Sequence, residues 1–523
     1  MRELYTHRNL RTFVVVAAIF YIIYGSWLFN FSGTVDDVML NNREWIYLTN
    51  GRWCSWIIKT IFGNGPQYPH GGILSGIMLA AAAVCQMDAL GIKSRWQRIT
   101  YSVIFLAIPQ NIPNVSLWCL NACFSFGIFF ASLSAWALLK KPEHSVTVST
   151  ILLTAALGCY QSLLIYFLVV LLASVLISYV REREMDHAMV AKKVIWVVVI
   201  ALITYFAVYK IGRMFAPAHW LRVADAYQEG IVGWHEVSFS NFSGMVDYIV
   251  KYAVTLPLSR FLMLGHGKWL VGSGLVCALA IAVHYMRNKQ RKKCCLVTLG
   301  VLALNLLPFA FCPVLLSNLG VAARLMIAQP AATASIWVIT AIIYTPKLLP
   351  HRNACALAIV FIVLQATWNS GEASRNRLFR YERALEELRD MYMLGRMEAM
   401  RHGLNECDIL LCGRNQYYCN SVNMHPKSRF VFDFTNIFAD IDTASTYFFI
   451  LSRGSQYHPL TFASFLRIPK RFRVISSEEK AEHAETLTDM PSWPADGSIR
   501  ADGKVVLIKI GPEIDEGKPM LQY

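Results

Sequence analysis

Charged side chains are scarce in this sequence. Asp, Glu, Lys and Arg make up 16% of 523 residues, hydrophobic residues make up 55%, and the mean hydropathy is +0.40. Soluble domains carry about 25% charged residues, so the composition excludes a soluble globular protein and points to an integral membrane protein. Familiar catalytic signatures are missing as well. The chain has no Walker loop, no G-x-G-x-x-G opening a helix, no H-E-x-x-H and no G-x-S-x-G, which removes support for nucleotide binding, zinc proteolysis and serine hydrolysis. No internal repeat stands out, which counts against a transporter built from inverted repeats, and no low-complexity segment is present. Acidic residues are outnumbered, 34 against 49 basic, giving a net charge of +15. The thirteen cysteines lie mainly inside apolar runs, where they pack as small apolar groups, and their spacing fits no metal motif. Of those outside, Cys407, Cys412 and Cys419 would have a disulfide open to them in an oxidising compartment, with the pairing undecided.

What is present is a series of long apolar runs. About eleven, each roughly 15 to 22 residues, are long enough to cross a hydrocarbon core as helices. They lie near 12–31, 71–90, 99–114, 117–139, 145–160, 162–180, 194–213, 268–286, 294–312, 326–345 and 354–369. The first lacks a small-residue cleavage site and is expected to stay as an anchor. Basic residues in short loops stay on the cytoplasmic side. One threading satisfies all of them, with Arg2, Arg8 and Arg11, Lys93, Arg95 and Arg98, Lys140 and Lys141, Arg181 and Arg183, the run 287–293, Lys347 and Arg352 inside. The positive charge is thereby explained by topology, and no nucleic-acid partner is expected. The same threading puts the loops 32–70 and 214–267, the loop around Arg324 and everything after 368 on the outer face.

Asp36 and Asp37 follow directly on the first run. Adjacent carboxylates raise one another's proton affinity and a low-dielectric boundary adds to it, which suits a general base. The bland alternative is a helix cap on the wet side of the membrane. Residues 41–62, rich in Trp and Tyr with single cations such as Arg43 and Arg52, suit one or two helices lying in the interface plane. The tight connection Gly158 to Ser162 aims Tyr160 and Gln161 into the bundle, or is simply a polar hairpin tip. Residues 214–264 read as a substrate-covering lid. Arg260 and Lys268 sit where the chain re-enters the bilayer, and Arg324 is a lone cation in an apolar segment that either meets an anion or snorkels to head groups. From 369 the composition changes. A charged amphipathic helix over 372–403, closed by glycine, and strands at 408–412, 473–475 and 502–509 predict an α/β domain of about 150 residues, a typical domain size.

The acidic pair after the first span, Gly51-Arg52-Trp53, Tyr160-Gln161-Ser162, an arginine in a late outer loop and the terminal stretch MPSWPADGSIRADGKVVLIKI together resemble the Gtr-type glucosyltransferases that modify O-antigen in serotype conversion, polytopic enzymes of the GT-C class. That resemblance implies a GT-C-like polytopic α-helical membrane domain over 1–368 and a periplasmic α/β domain over 369–523, in the bacterial inner membrane with a cytoplasmic N-terminus. It implies an undecaprenyl (polyprenyl) phosphate glucose donor, a lipid-linked O-antigen (lipopolysaccharide) acceptor, an inverting single displacement, and no cofactor. Asp36 or Asp37 matches the aspartate that acts as base in the first outer loop. Arg52, Arg260 and Arg324 are the candidates for the phosphate clamp, because a guanidinium meets phosphate with a planar fork. Arg43, Tyr160, Gln161 and Lys268 are candidates for substrate binding. No divalent metal is required, since a hard cation usually takes more oxygens than a carboxylate pair supplies. Competing readings are a lipid-linked sugar flippase or other transporter, in which the pair would carry protons or cations, another polyprenyl-phosphate-sugar-dependent transferase acting on a different glycan, and a structural or assembly subunit whose tail binds a partner. The flippase reading expects ionisable residues at mid-span, whereas here they gather at the ends of spans.

Overall fold

A computed structural model of the chain describes residues 6–30, 44–63, 69–108, 111, 121–140, 145–183, 186–218, 220–222, 224–225, 265–315, 327–412, 471–475 and 477–510. They fall into two compact units, one within 1–31 and 42–374 and the other within 375–523. Helices dominate the first unit: α1 (His7–Phe29), the short α2 (Glu44–Thr49) and α3 (Trp53–Phe62), then α4 (His70–Ala89), α5 (Arg95–Ala107), α6 (Asn121–Lys140), α7 (Ser145–Cys159), α8 (Leu163–Val180), α9 (His187–Met214), α10 (Gly265–Arg287), α11 (Arg291–Leu315) and α12 (Gln329–Leu348). The 50-residue α13 (Arg352–Arg401) starts in the first unit and ends in the second. Helix is what the runs must form, because an apolar surrounding offers backbone groups no partner outside their own segment.

Six helices among the described residues are long and apolar enough to cross a membrane: His7–Phe29, His70–Ala89, Asn121–Lys140, Leu163–Val180, His187–Met214 and the stretch Arg352–Arg375 of α13. The other expected runs coincide with α5, α7, α10, α11 and α12, which are shorter or less uniformly apolar over their described residues. Side-chain caps set two starts that hydropathy alone does not show. Thr6 accepts from the Asn9 amide at 3.2 Å, and Asp186 accepts from the Met189 amide at 2.9 Å.

Small residues bring the bundle together. The buried face of α4 carries Gly72, Ser75, Gly76, Ala80 and Ala83, and α4 packs on α6 through comparably small Ala131, Ser132 and Ala135, the composition that lets apolar helices approach closely. Polar side chains inside it are paired. Tyr101 donates to Gln86 Oε1, while Gln86 Nε2 donates to Ser132 Oγ (2.7 Å) and to Tyr166 Oη, joining α5, α4, α6 and α8. Such interhelical bonds contribute about 0.6 kcal/mol each.

The loops expected on the cytoplasmic side meet at one end of this unit. Arg98 donates to Asn9 Oδ1 (2.7 Å), Arg181 to the Gly91 carbonyl (2.6 Å) and to Gln97 Oε1 (2.8 Å), Arg8 pairs with Asp88 (3.7 Å), and Lys293 pairs with Glu182. The Lys293 ammonium holds the Glu182 carboxyl below its ordinary range.

The second unit contains a four-stranded sheet of order β2-β1-β4-β3, from β1 (Asp408–Cys412), β2 (Phe472–Val474), β3 (Ile499–Asp502) and β4 (Val505–Lys509). β1 runs parallel to both β2 and β4, in register Ile409 with Phe472 and Ile409 with Val506, while β3 and β4 form an antiparallel hairpin. Alternation along β1 and β4 sends Ile409, Leu411, Val506 and Ile508 to one face, against Leu388, Met391 and Ala399 of α13. Leu410, Cys412 and Leu507 go to the other, against Ile475, Met490 and Leu487 of α15 (Ala484–Asp489), which follows α14 (Ser477–Glu482). Both faces are covered, so β1 and β4 read as continuous apolar runs. Cys407 packs with the first face and Cys412 with the second, and neither is in a disulfide. A bridge between these two is therefore not formed, and Cys419 lies outside the described residues.

One side-chain contact ties the hairpin to its covering helices: Asp502 Oδ2 lies 2.8 Å from His483 Nδ1. Hydrogen bonds from Thr486 and His483 hold the Asp502 carboxyl below its ordinary range. A depressed carboxylate contributes stability above its unfolded value, about 3.9, and loses it as pH falls through the lower folded value. Trp493 packs on the adjacent core, so the fluorescence of the full-length, detergent-solubilised protein minus that of its Trp493→Phe variant should report a loosening step below about pH 3.9 that Asp502→Asn lacks. Identical acid titrations with and without Asp502→Asn would show that this tie does not stabilise the hairpin.

Candidate functional site

The segment between α2 and α3 is where separated pieces of sequence converge. α2 and α3 have 6 and 10 residues, too short to hold helical form unaided, and their apolar sides are buried through Tyr47, Leu48, Cys54 and Ile58. Between them the chain turns at Gly51, whose φ of +75° suits glycine. The Arg52 amide donates back to the Tyr47 carbonyl at 2.7 Å. The turn is clasped from outside by the α7–α8 hairpin. Gln161 Nε2 donates to the Asn50 carbonyl (2.9 Å) and to Tyr205 Oη of α9 (2.8 Å). The Arg52 guanidinium lies 4.8 Å from the centre of the Tyr160 ring, within cation–π range. Below them, Ser55 Oγ donates to the Cys159 carbonyl at 3.0 Å and the Cys123 thiol lies against the Ser55 carbonyl. A side chain at Gly158 would meet the Trp53 indole at 2.5 Å, so only glycine lets α3 approach α7 this closely.

Three of the sequence candidates, Arg52, Tyr160 and Gln161, are thus brought together at one end of the helical unit. Lys268 falls in α10, its side chain outside the described residues. Asp36, Asp37, Arg43, Arg260 and Arg324 also lie outside the described residues, as does most of the expected lid. Two residues at the convergence, Tyr205 and Lys59, escape a reading of the sequence, and Gly51 is visible only as part of the Gly51-Arg52-Trp53 motif. Gly51 and Tyr205 meet across more than 150 positions, which no local pattern encodes. Lys59 stands in the apolar run Trp56-Ile57-Ile58-Lys59-Thr60-Ile61-Phe62 and reads there as one more interfacial cation, yet it is almost fully buried.

A guanidinium stacked on a phenol beside a carboxamide can hold an anionic group next to polar hydroxyls. The profile of the family described as Glucosyl transferase GtrII matches residues 25–341. The chain belongs to the GtrII glucosyltransferase family. As a member of that family it is a glycosyltransferase, and its apolar helices make it a membrane protein. No curated protein and no solved structure matches it. The matched residues contain α2, α3, the α7–α8 hairpin and α9, so the convergence falls inside what defines the GtrII family.

Gly51→Ala tests how the turn is built. Its new Cβ would come 2.2 Å from Tyr205 Oη, and an L-residue at this φ costs about 1–2 kcal/mol. The melting temperature should fall, and turnover with it. Tyr205→Phe alone loses about 1 kcal/mol with its hydrogen bond, yet in the Gly51→Ala background it removes the clashing oxygen and should recover part of the loss. Strictly additive melting-temperature changes in the double mutant would show that the two residues are not in contact.

Proposed function

We propose that this GtrII-family protein transfers glucose from a polyprenyl-phosphate donor to lipid-linked O-antigen at the periplasmic face of the bacterial inner membrane. The observation that carries the reading is the convergence of Arg52, Tyr160 and Gln161 at the end of the unit where α8 begins. Arg181, with the basic loops, stands where α8 ends, roughly 27 Å away at 1.5 Å per residue. A positive-inside threading with about eleven spans assigns the basic end to the cytoplasm and the Arg52 end to the periplasm. It also assigns the α/β domain, over 369–523, to the periplasm.

In this mechanism the carboxylate of Asp36 or Asp37 takes the proton of an acceptor hydroxyl as its oxygen attacks the anomeric carbon of the donor. The new C–O bond forms on the face opposite the breaking bond to phosphate, so the configuration inverts. The departing lipid phosphate gains negative charge, and Arg52, with Arg260 and Arg324, offsets it. Arg43, Tyr160, Gln161 and Lys268 line the sugar and acceptor side. Anionic lipid phosphate fits a guanidinium already oriented by stacking, because less side-chain freedom is lost when it binds.

Purified protein given synthetic polyprenyl-phosphate glucose and acceptor glycan should release polyprenyl phosphate. No release at any acceptor concentration would sink the proposal. The acidic pair should act asymmetrically. Asn at the position of the base keeps its size but cannot take the proton, so its rate should drop about a hundredfold to ten-thousandfold while donor binding persists. The second Asp→Asn variant should lose less, since two carboxylates in one site rarely share a role. If Asp36→Asn and Asp37→Asn are both fully active, neither is the base.

A further inference from the structure

Lys59 is the least expected charge in the helical unit. It lies on α3 two turns after Arg52, on the face that also carries Ser55 and packs against α6 and α7. Only 2% of it is exposed. A lysine that merely snorkels keeps its ammonium in water along an apolar stem, and this one does not. Among the described residues its ammonium has a single hydrogen-bond partner, the Tyr47 hydroxyl at 3.3 Å, and it stands 4.9 Å from the centre of the Tyr47 ring. No described carboxylate forms an ion pair with it. A phenol and a ring face compensate little of the cost of dehydrating an ammonium. Two of its three N–H bonds remain for another acceptor.

The two helices α3 and α6 carry further unmatched donors. The indole N–H of Trp53 on α3 and the carboxamide N–H of Asn121, at the start of α6, are buried without a hydrogen-bond partner among the described residues. Buried donors normally have partners, and each one left unmatched costs stability. The contact of the Cys123 thiol with the Ser55 carbonyl puts the start of α6 beside the middle of α3, where Lys59 follows one turn later. A buried cation with no carboxylate partner among the described residues, on a pair of packed helices that also carries two unmatched donors, suits a negatively charged group bearing several oxygens.

We propose that Lys59 binds the phosphate of the lipid-linked donor, acting with Arg52 on one face of α3. This rests on the donor reading given above and adds to it a lysine that this reading leaves out. The two cations differ in kind. Arg52, half-buried, offers a planar fork, and Lys59, almost fully buried, a compact point charge able to follow a phosphate as it leaves the sugar.

The test uses the full-length protein in detergent and reads thermal protection by polyprenyl monophosphate, by uncharged polyprenol and by inorganic phosphate. Lys59→Met removes the charge but keeps the length, and replacing an uncompensated buried charge by an apolar group is neutral or stabilising, so the unliganded variant should melt at or above wild type. Lys59→Gln serves as a second, polar variant. Wild type should be protected by polyprenyl monophosphate and not by polyprenol, while both variants bind the lipid phosphate about tenfold or more weakly. Protection by inorganic phosphate alone, lost in both variants, would mean that Lys59 serves a free anion, overturning the lipid assignment. Variants with wild-type affinity for the lipid phosphate would overturn the role of Lys59 and leave the donor reading intact. A wild type indifferent to polyprenyl monophosphate would overturn the donor reading, and this assignment with it.

Discussion

The carbonyl of Asn50 ends one short helix and has no place in the next, so something outside must donate a hydrogen bond to it. Gln161 supplies it from a hairpin more than a hundred residues away, and the same amide reaches Tyr205. α2 and α3 lie too near the limit of helix formation to stand without this clasp. Arg52 takes its position from it, because its backbone is fixed by Tyr47 and its side chain is laid on Tyr160. The orientation of Arg52, the one described arginine of the proposed phosphate clamp, thus rests on neutral hydrogen bonds and a glycine turn.

At the other end of the bundle the same need is met by charge. Arg98, Arg181 and Lys293 bind carbonyls, amides and a carboxylate from neighbouring loops. Their positive charge is what the proposed cytoplasmic placement of this end rests on, while their hydrogen bonds close the loops. Between the two ends the helices meet through small side chains and the Gln86 network, a pattern that favours close approach over bulk.

The helices were legible because an apolar run has few alternatives to helix, and their ends were less so. The expected run 99–114 stops as α5 at Ala107, since Ile108 precedes Pro109 and takes an extended conformation. The span expected over 354–369 and the amphipathic helix expected over 372–403 form one helix, α13, because Gly371 lowers helix propensity without breaking a helix held on both sides. Strands β1 and β4 could be read from their apolar runs, but not their parallel pairing, which joins residues about a hundred positions apart. At the site, Arg52, Tyr160 and Gln161 stood out as polar groups in apolar surroundings. Tyr205 did not, and Gly51 did so only as part of the Gly51-Arg52-Trp53 motif, since their contact with each other leaves no local pattern, and Lys59 did not, since burial cannot be seen in a residue type that so often lies at a membrane surface.

The two-sided sheet gives Cys407 and Cys412 different neighbours. They are five positions apart, so the period of two that builds β1 turns them to opposite faces, with 4% and 3% of their surface exposed. Neither thiol can reach the other without dismantling the strand between them. An oxidising surrounding therefore has no bridge to make between these two, and alkylating reagents meet them only when a face of the sheet comes away. The pair behaves as an internal clock for the opening of this domain, with each sulfur timing the loss of one face.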